Sequence, residues 1–376
     1  MSHCLRRLSV VGLMALVLLG LVGASGWVAS PRVAAAPGQI EEAEAQDAYL
    51  YLFDTSAKQF AFSYAVPTVG TRAWDVDVVS EGGVDEVWFT EPGADLVGCL
   101  VYTDTNDYDL LEYPVPSGSY PLNMAIDGVN VWFTEPGRNK IGKLDRTTGA
   151  YEEYDVPTED SYPADLDVAP DGSVWFTEMK GDKIGHLVVG AFDYDITEYE
   201  PSYFTTGRPY GIVVVVRNSK PAIYYAETAG DAITYADPPN DSWVRIKAPS
   251  GNVPDHPFRL AVDKAGSVWA TERIGNRVTK ANYETLPLPI PYNLSPARSL
   301  PNGLIVDSGN NLWFAQELAG QIGYLMPTTN EIAYHPVPAT DVRPRSLALG
   351  AGDHLWVLAV QPEVLRIYAP LILRIS

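Results

Sequence analysis

The tetrad Trp-Phe-Thr-Glu stands three times in this chain, at Trp88–Glu91, Trp132–Glu135 and Trp175–Glu178. Degenerate copies follow at Tyr224–Glu227, Trp269–Glu272, Trp313–Gln316 and Trp356–Ala359, with steps of 44, 43, 49, 45, 44 and 43 residues. A fixed period of this length marks stacked supersecondary units of the size of a propeller blade. Seven copies therefore predict an all-β, seven-bladed β-propeller of four-stranded antiparallel blades.

Each unit carries the same punctuation. An alternating strand follows an X-Pro step, as in Pro163–Val168, and the turn Pro170-Asp171-Gly172 leads into Val174–Glu178. A third strand is marked by Lys140-Ile141-Gly142, Lys183-Ile184-Gly185 or Gln321-Ile322-Gly323, and a fourth ends in Tyr and Pro, as in Glu153–Pro157. Alternation bounded by Gly, Pro and Asp is the pattern of antiparallel strands joined by tight turns. Seven first, second and third strands are counted, but only six fourth strands follow them before the chain ends. Gln59–Pro67 has the missing fourth-strand pattern, so an N-terminal strand is expected to close the C-terminal blade, which leaves no open blade in the ring. For the third strand of that blade two segments compete, 48–54 and Val364–Tyr368.

The start of the chain reads as a secretory signal. Arg6 and Arg7 precede an apolar run from Leu8 to Val22 and then small residues, with cleavage expected after Ala24 or near Ala36. The alternative is an uncleaved N-terminal anchor. The expected organisation is a signal over 1–36, an acidic linker over 37–47, the propeller over 48–368 and an apolar tail over 369–376. Cys4 falls in the signal, which leaves Cys99 alone, so no internal disulfide is expected and Cys99 reads as a small buried apolar residue. The whole chain carries a net charge of −21, and removal of the first 36 residues, whose only charges are Arg6, Arg7 and Arg32, leaves −24. A surface this acidic repels nucleic acid and anionic membrane. The expected protein is secreted, monomeric and without a membrane span in its mature part, and its partner is a small molecule or an extracellular protein.

The combined signature of Pro-x-Gly-Ile, Trp-Phe-Thr-Glu, Lys-Ile-Gly-x-Leu and Glu-Tyr-x-x-Pro resembles the streptogramin (virginiamycin) B lyase family of seven-bladed propellers over residues 59–368. That resemblance implies a magnesium-dependent elimination that opens a cyclic depsipeptide: a histidine base removes a proton alpha to the ester carbonyl, and a metal held partly by glutamate stabilises the enolate. It also implies a Glu-Pro-His step before the innermost strand of one blade and a Pro-His step in another. Here the steps are Arg72-Ala73-Trp74, Tyr120-Pro121-Leu122, Tyr162-Pro163-Ala164, Arg208-Pro209-Tyr210, His256-Pro257-Phe258, Leu300-Pro301-Asn302 and Arg343-Pro344-Arg345. None places His after Pro or Glu before it.

Residues two apart on a strand share a face, so both flanks of each step are expected at the mouth. The candidate ligand-binding ring is Arg72, Trp74, Tyr120, Tyr162, Arg208, Tyr210, His256, Asn302, Arg343 and Arg345. Arginine forks and aromatic faces suit an anionic or planar ligand. The competing reading pairs the arginines with Asp75, Asn123, Asp165 and Asp167 nearby. Among the glutamates that end the second strands, Glu178, Glu227 and Glu272 are weak metal candidates, for magnesium or calcium; as structural groups they would instead bond backbone donors or a neighbouring blade's basic residue. The functions in view are thus ligand or partner binding at the mouth, a metal-dependent lyase or lactonase, and a surface interaction propeller.

Overall fold

The computed structural model describes residues 27–28, 32–33, 48–104, 107–201, 207–217, 220–247, 255–281 and 289–361. Seven antiparallel sheets of at least four strands surround one axis. The first five innermost strands are Val76–Glu81, Met124–Asp127, Pro163–Val168, Pro209–Arg217 and Pro257–Val262, and the last two are Pro301–Val306 and Arg343–Leu349. We number the blades one to seven in that order.

Blade seven is built from both parts of the chain. Its order is Arg343–Leu349, His354–Val360, Ala48–Asp54 and Gln59–Ala65, and Ala48–Asp54 pairs with His354–Val360 over its full length. The third strand is thus 48–54, and Val364–Tyr368 lies outside the described residues. Two short segments add fifth strands at outer edges: Arg32–Val33 on blade one and Trp27–Val28 on blade two. The expected linker at 37–47, most of the loop between Pro201 and Gly207 and the tail 369–376 also lie outside the described residues.

The tetrad explains the ring. Successive side chains on a strand point to opposite faces. Trp of the second strand faces the following blade, and Phe faces the preceding one. Trp88 shares a core with Phe133, Trp132 with Phe176, Trp269 with Phe314, and Trp356 with Phe89. The last of these joins blade seven to blade one, so seven inter-blade cores close the circle. Cys99 is fully buried in the first of the cores between blades one and two.

The glycine of Lys-Ile-Gly answers the phenylalanine. Phe89, Phe133, Phe176 and Phe314 stand directly opposite Gly98, Gly142, Gly185 and Gly323 on the third strand. A Cβ at any of these glycines would fall inside the facing ring. In blades four and five the opposite residue is threonine: Thr234 faces Tyr225, and Thr279 faces Ala270, which replaces Phe there. Threonine does separate work. Thr90, Thr134 and Thr177 each accept the backbone N–H of the second residue after their own blade's step, at 3.1 Å. Each also donates to a carbonyl of the next blade: Leu122 at 2.6 Å, Ala164 at 3.2 Å and Tyr210 at 2.7 Å.

Two substitutions test this frame. Gly185→Ala is expected to cost about 1–3 kcal/mol by overpacking against Phe176, and Trp175→Ala about 3–5 kcal/mol through a cavity between blades three and four. Denaturant unfolding reads both, and a loss below about 0.5 kcal/mol in either would contradict the assigned packing.

Candidate functional site at the mouth of the channel

The entry to the innermost strand of blades one to six is a left-handed residue. Arg72, Tyr120, Tyr162, Arg208, His256 and Leu300 have φ between 48° and 57°. Such a conformation is unusual outside glycine and needs support. An Asp or Asn in the turn after the preceding blade's second strand supplies it. Asp95 accepts the Tyr120 N–H at 2.9 Å, Asp182 that of Arg208 at 2.8 Å, and Asp231 that of His256 at 3.1 Å. Asn139 and Asn276 serve Ser161 and Ser299 in the same way, at 2.8 and 2.6 Å.

This turn separates the two flanks of each step. Except in blade seven, where Arg343 opens the strand itself, the first residue of the step is not part of the extended strand, so the expected alternation does not carry it to the mouth. Arg72 and Arg208 are exposed, while Tyr120, His256 and Arg343 are half-buried. Tyr162 is the exception. It packs with Trp74, Ala164, Tyr210, Phe258 and Met179 in one apolar cluster, beneath Lys180, whose Nζ stands 5.4 Å from the Tyr162 ring centroid. Tyr210 and Phe258 stack at 4.1 Å with 20° between their planes.

Two guanidinium groups flank these rings. Arg345 lies 5.1 Å from the centre of Trp74, and Arg273 lies 4.5 Å from Phe258. Both reach one buried carboxylate, Glu317, at 3.4 and 3.0 Å, and Asn302 donates to it at 3.4 Å. Arg345 also donates to the Ala73 carbonyl at 3.3 Å. The structure therefore gathers Trp74, Tyr162, Tyr210, Asn302 and Arg345 from the expected ring. With them comes Phe258, the second flank of the His256 step, and the structure adds Arg273 and Glu317.

A third residue beyond that ring is Arg259. In blades three to six the pairing slips between the proline and the third residue after it, and in blade seven one residue earlier. A slip of this kind re-aims side chains, so the second residue after the proline also faces the axis. There Arg259 meets Asp75 at 3.0 Å, Asp165 at 3.3 Å and Asn123 through a short hydrogen bond. Asn123 accepts from Trp74 Nε1 at 2.9 Å and donates to the Tyr210 hydroxyl at 3.3 Å. Asp75 and Asp165 thus pair with Arg259, not with arginines of the expected ring. The signal in the sequence was the lone basic residue among acids and small residues at that offset.

The channel carboxylates also stitch inner strands together. Asp75 and Asp77 accept N–H groups of Met124 and Ile126 in blade two at 3.0 and 3.1 Å, and Asp165 and Asp167 those of Ile212 and Val214 in blade four at 3.3 and 2.7 Å. Burial pushes the carboxyls of Asp77 and Asp165 up to about 7 and that of Asp167 to about 6.

Glu178, Glu227 and Glu272 are not brought together. Each is buried in a different blade. Glu227 bonds Arg245 and Thr234, both at 2.5 Å, and Glu272 bonds Arg277, so the basic partners come from the same blade and not from a neighbour. Burial, then the nearby Glu198 carboxylate, raises Glu178 to about 8. Among the described residues no three His, Cys, Asp or Glu side chains converge on a metal position. The scattered histidines serve packing: His186 stacks on Trp175 at 4.0 Å and His335 lies 5.0 Å from Phe53.

The family model described as the virginiamycin B lyase family matches residues 67–367, and the chain belongs to that family. A virginiamycin B lyase of Nocardia farcinica is 26% identical over 211 residues, which span 54% of this chain and 64% of that relative. A catalytically inactive histidine-to-alanine variant of the Staphylococcus aureus virginiamycin B lyase, solved with quinupristin, superposes with a TM-score of 0.66 at 25% identity, over 77% of this chain and 96% of that one. A streptogramin B lyase structure has the same TM-score at 22% identity, over 84% of this chain and 98% of that one, and shows the shared fold.

The channel should make the protein acid-tolerant. Asp77, Asp165, Asp167 and Glu178 have folded pKa values above their ordinary ones, so their protonation favours the folded state. Their contribution is present at pH 4–5 and lost as pH rises towards about 8. The melting temperature is expected to be higher at pH 5 than at pH 8 at equal ionic strength; a profile that rises with pH would contradict the placement of these groups. Arg259→Met strands two buried carboxylates and is expected to cost about 3–5 kcal/mol at pH 8 and less at pH 5.

Proposed function

We propose that this protein is an exported member of its family that binds a small anionic aromatic ligand at the mouth. The observation that carries the reading is the cluster of Trp74, Tyr162, Tyr210 and Phe258 flanked by Arg273 and Arg345. Two guanidinium groups share the single carboxylate of Glu317, which leaves one positive charge beside the half-buried rings of Trp74 and Tyr162. A ring that stacks on this surface gains dispersion and quadrupole attraction, and its carboxylate or sulfonate takes the guanidinium N–H donors. In none of the seven steps is the residue after the central position, Phe258 and Asn302 among them, a histidine that could serve as the base. The relatives' names point to the competing reading, a lyase acting on a streptogramin B.

Binding is tested with 2-naphthoate, with 2-naphthol as the neutral control, by saturation-transfer NMR and calorimetry. The naphthoate is expected to bind more tightly, and Arg345→Ala to weaken it by about tenfold, the loss of one charge-assisted contact of about 1.5 kcal/mol. Equal binding of the two probes would remove the anion preference. Ring opening of quinupristin by the purified protein, sensitive to chelator and enhanced by magnesium, would overturn the binding reading in favour of a lyase with relocated groups. Export is read by mass spectrometry of the secreted protein: a new N-terminus after Ala24 or near Ala36 supports it, and an intact residue 1 in the cell envelope supports the anchor instead.

A further inference from the structure

We infer that the axial channel holds a second binding site, beyond the mouth, for a small aliphatic amine that carries a hydrogen-bond acceptor. A cavity of about 380 Å³ lies on the axis, lined by Asp75, Asp77, Asp165, Asp167 and Arg259 and by aliphatic residues. The rings of the mouth do not line it. Arg259 is the third residue of the strand Pro257–Val262, and the cavity extends from there to Val262 and Val306, the last residues of their strands. The Arg259 network with Asp75, Asp165 and Asn123 thus lies between mouth and cavity. A volume of this size falls in the range of small-ligand sites.

The walls differ in chemistry. Blades one and three supply all four carboxylates. Blades four, five and six supply Val213, Ala261, Val262, Ile305 and Val306. Among the described residues Arg259 is the only basic one in the lining, and it is engaged by Asp75 and Asp165. Asp77 and Asp167 have backbone N–H donors but, among the described residues, no cationic partner. Buried charge without a partner is costly, and a bound ammonium group would offset it. A separate observation concerns the opposite kind of group. The Nε–H of Arg259 is buried and bonds no acceptor. An occupant that satisfies both features presents a cation to Asp77 and Asp167, an oxygen towards Arg259 Nε, and methylenes to the aliphatic wall. An amino alcohol has that composition; a bare metal ion lacks the acceptor and the apolar part.

The probe is 4-amino-1-butanol, with 1,4-butanediol as the uncharged control and sodium chloride at matched ionic strength. The measurements are saturation-transfer NMR and the shift in melting temperature, since a ligand of the folded state raises the midpoint by mass action. The aminoalcohol is expected to raise the midpoint at pH 8 and the diol not to. Its affinity should fall at least tenfold at pH 5, where Asp77, Asp165 and Asp167 are protonated while the amine stays charged. Asp77→Asn with Asp167→Asn removes both charges and keeps one of the two oxygens with which each carboxylate accepts a backbone N–H, and should weaken binding at least tenfold. Should that pair of changes spoil folding, as judged by near-UV circular dichroism, Ala261→Leu fills the cavity from the aliphatic wall and should have the same effect on binding. Equal response to diol and aminoalcohol, no response to either, or affinity unchanged in a folded variant would each overturn the proposal.

Discussion

The structure depends on one repeated contact, the tryptophan of one blade's second strand against the phenylalanine position of the next. Because the two residues are adjacent, a single strand presents one aromatic face to each neighbour. No blade can bury both faces alone, so burial is complete only when the ring closes. Closure falls to the core that joins Trp356 and Leu358 of blade seven to Val76, Val87 and Phe89 of blade one. The strand Ala48–Asp54 lies in that same core, which is why two distant parts of the chain share a sheet. Repeat proteins of this kind hold together through nearest-neighbour interfaces.

Inside the aromatic girdle the chemistry changes from apolar to polar. Seven innermost strands converge on the axis, and few of their backbone donors find a partner in the next blade's strand directly. Threonine hydroxyls and aspartate carboxylates make those links instead. The acidic residues of the channel therefore have a structural role that does not depend on any ligand. The same arrangement leaves more negative than positive charge on the axis, with Arg259 as the one guanidinium that spans it. Arg259 also ties this layer to the mouth, because Asn123 touches Arg259, Trp74 and Tyr210 at once.

Family membership and site chemistry answer different questions here. The blade grammar, shared with virginiamycin B lyases, specifies the ring. The mouth is written at the few offsets just after each proline, outside the Trp, Phe, Thr and Gly positions that make up the blade grammar. Phe258, Asn302 and Arg345 could occupy those offsets without disturbing the frame. A fold can thus be retained while its site is rebuilt, and the site must be argued from its own residues.

Much was legible in the chain alone. The period gives seven blades, and the fourth-strand pattern at 59–67 follows from local alternation; the pairing of Phe with Gly and of Trp with its neighbour's Phe slot is seen only in the structure. The strand pattern depends on period-two geometry, which a sequence carries directly. The mouth was only half legible. Trp74, Tyr210, Asn302 and Arg345 follow from their offset, but Arg72, Arg208 and His256 turn aside because a left-handed residue precedes each strand. Arg259, Arg273 and Glu317 escaped notice because a local slip in pairing and contacts between blades decide where they point. The sequence by itself determined the repeat and the ring; only the tertiary structure decided which side chains meet at the axis, because those contacts join residues as far as 272 positions apart that no local pattern relates.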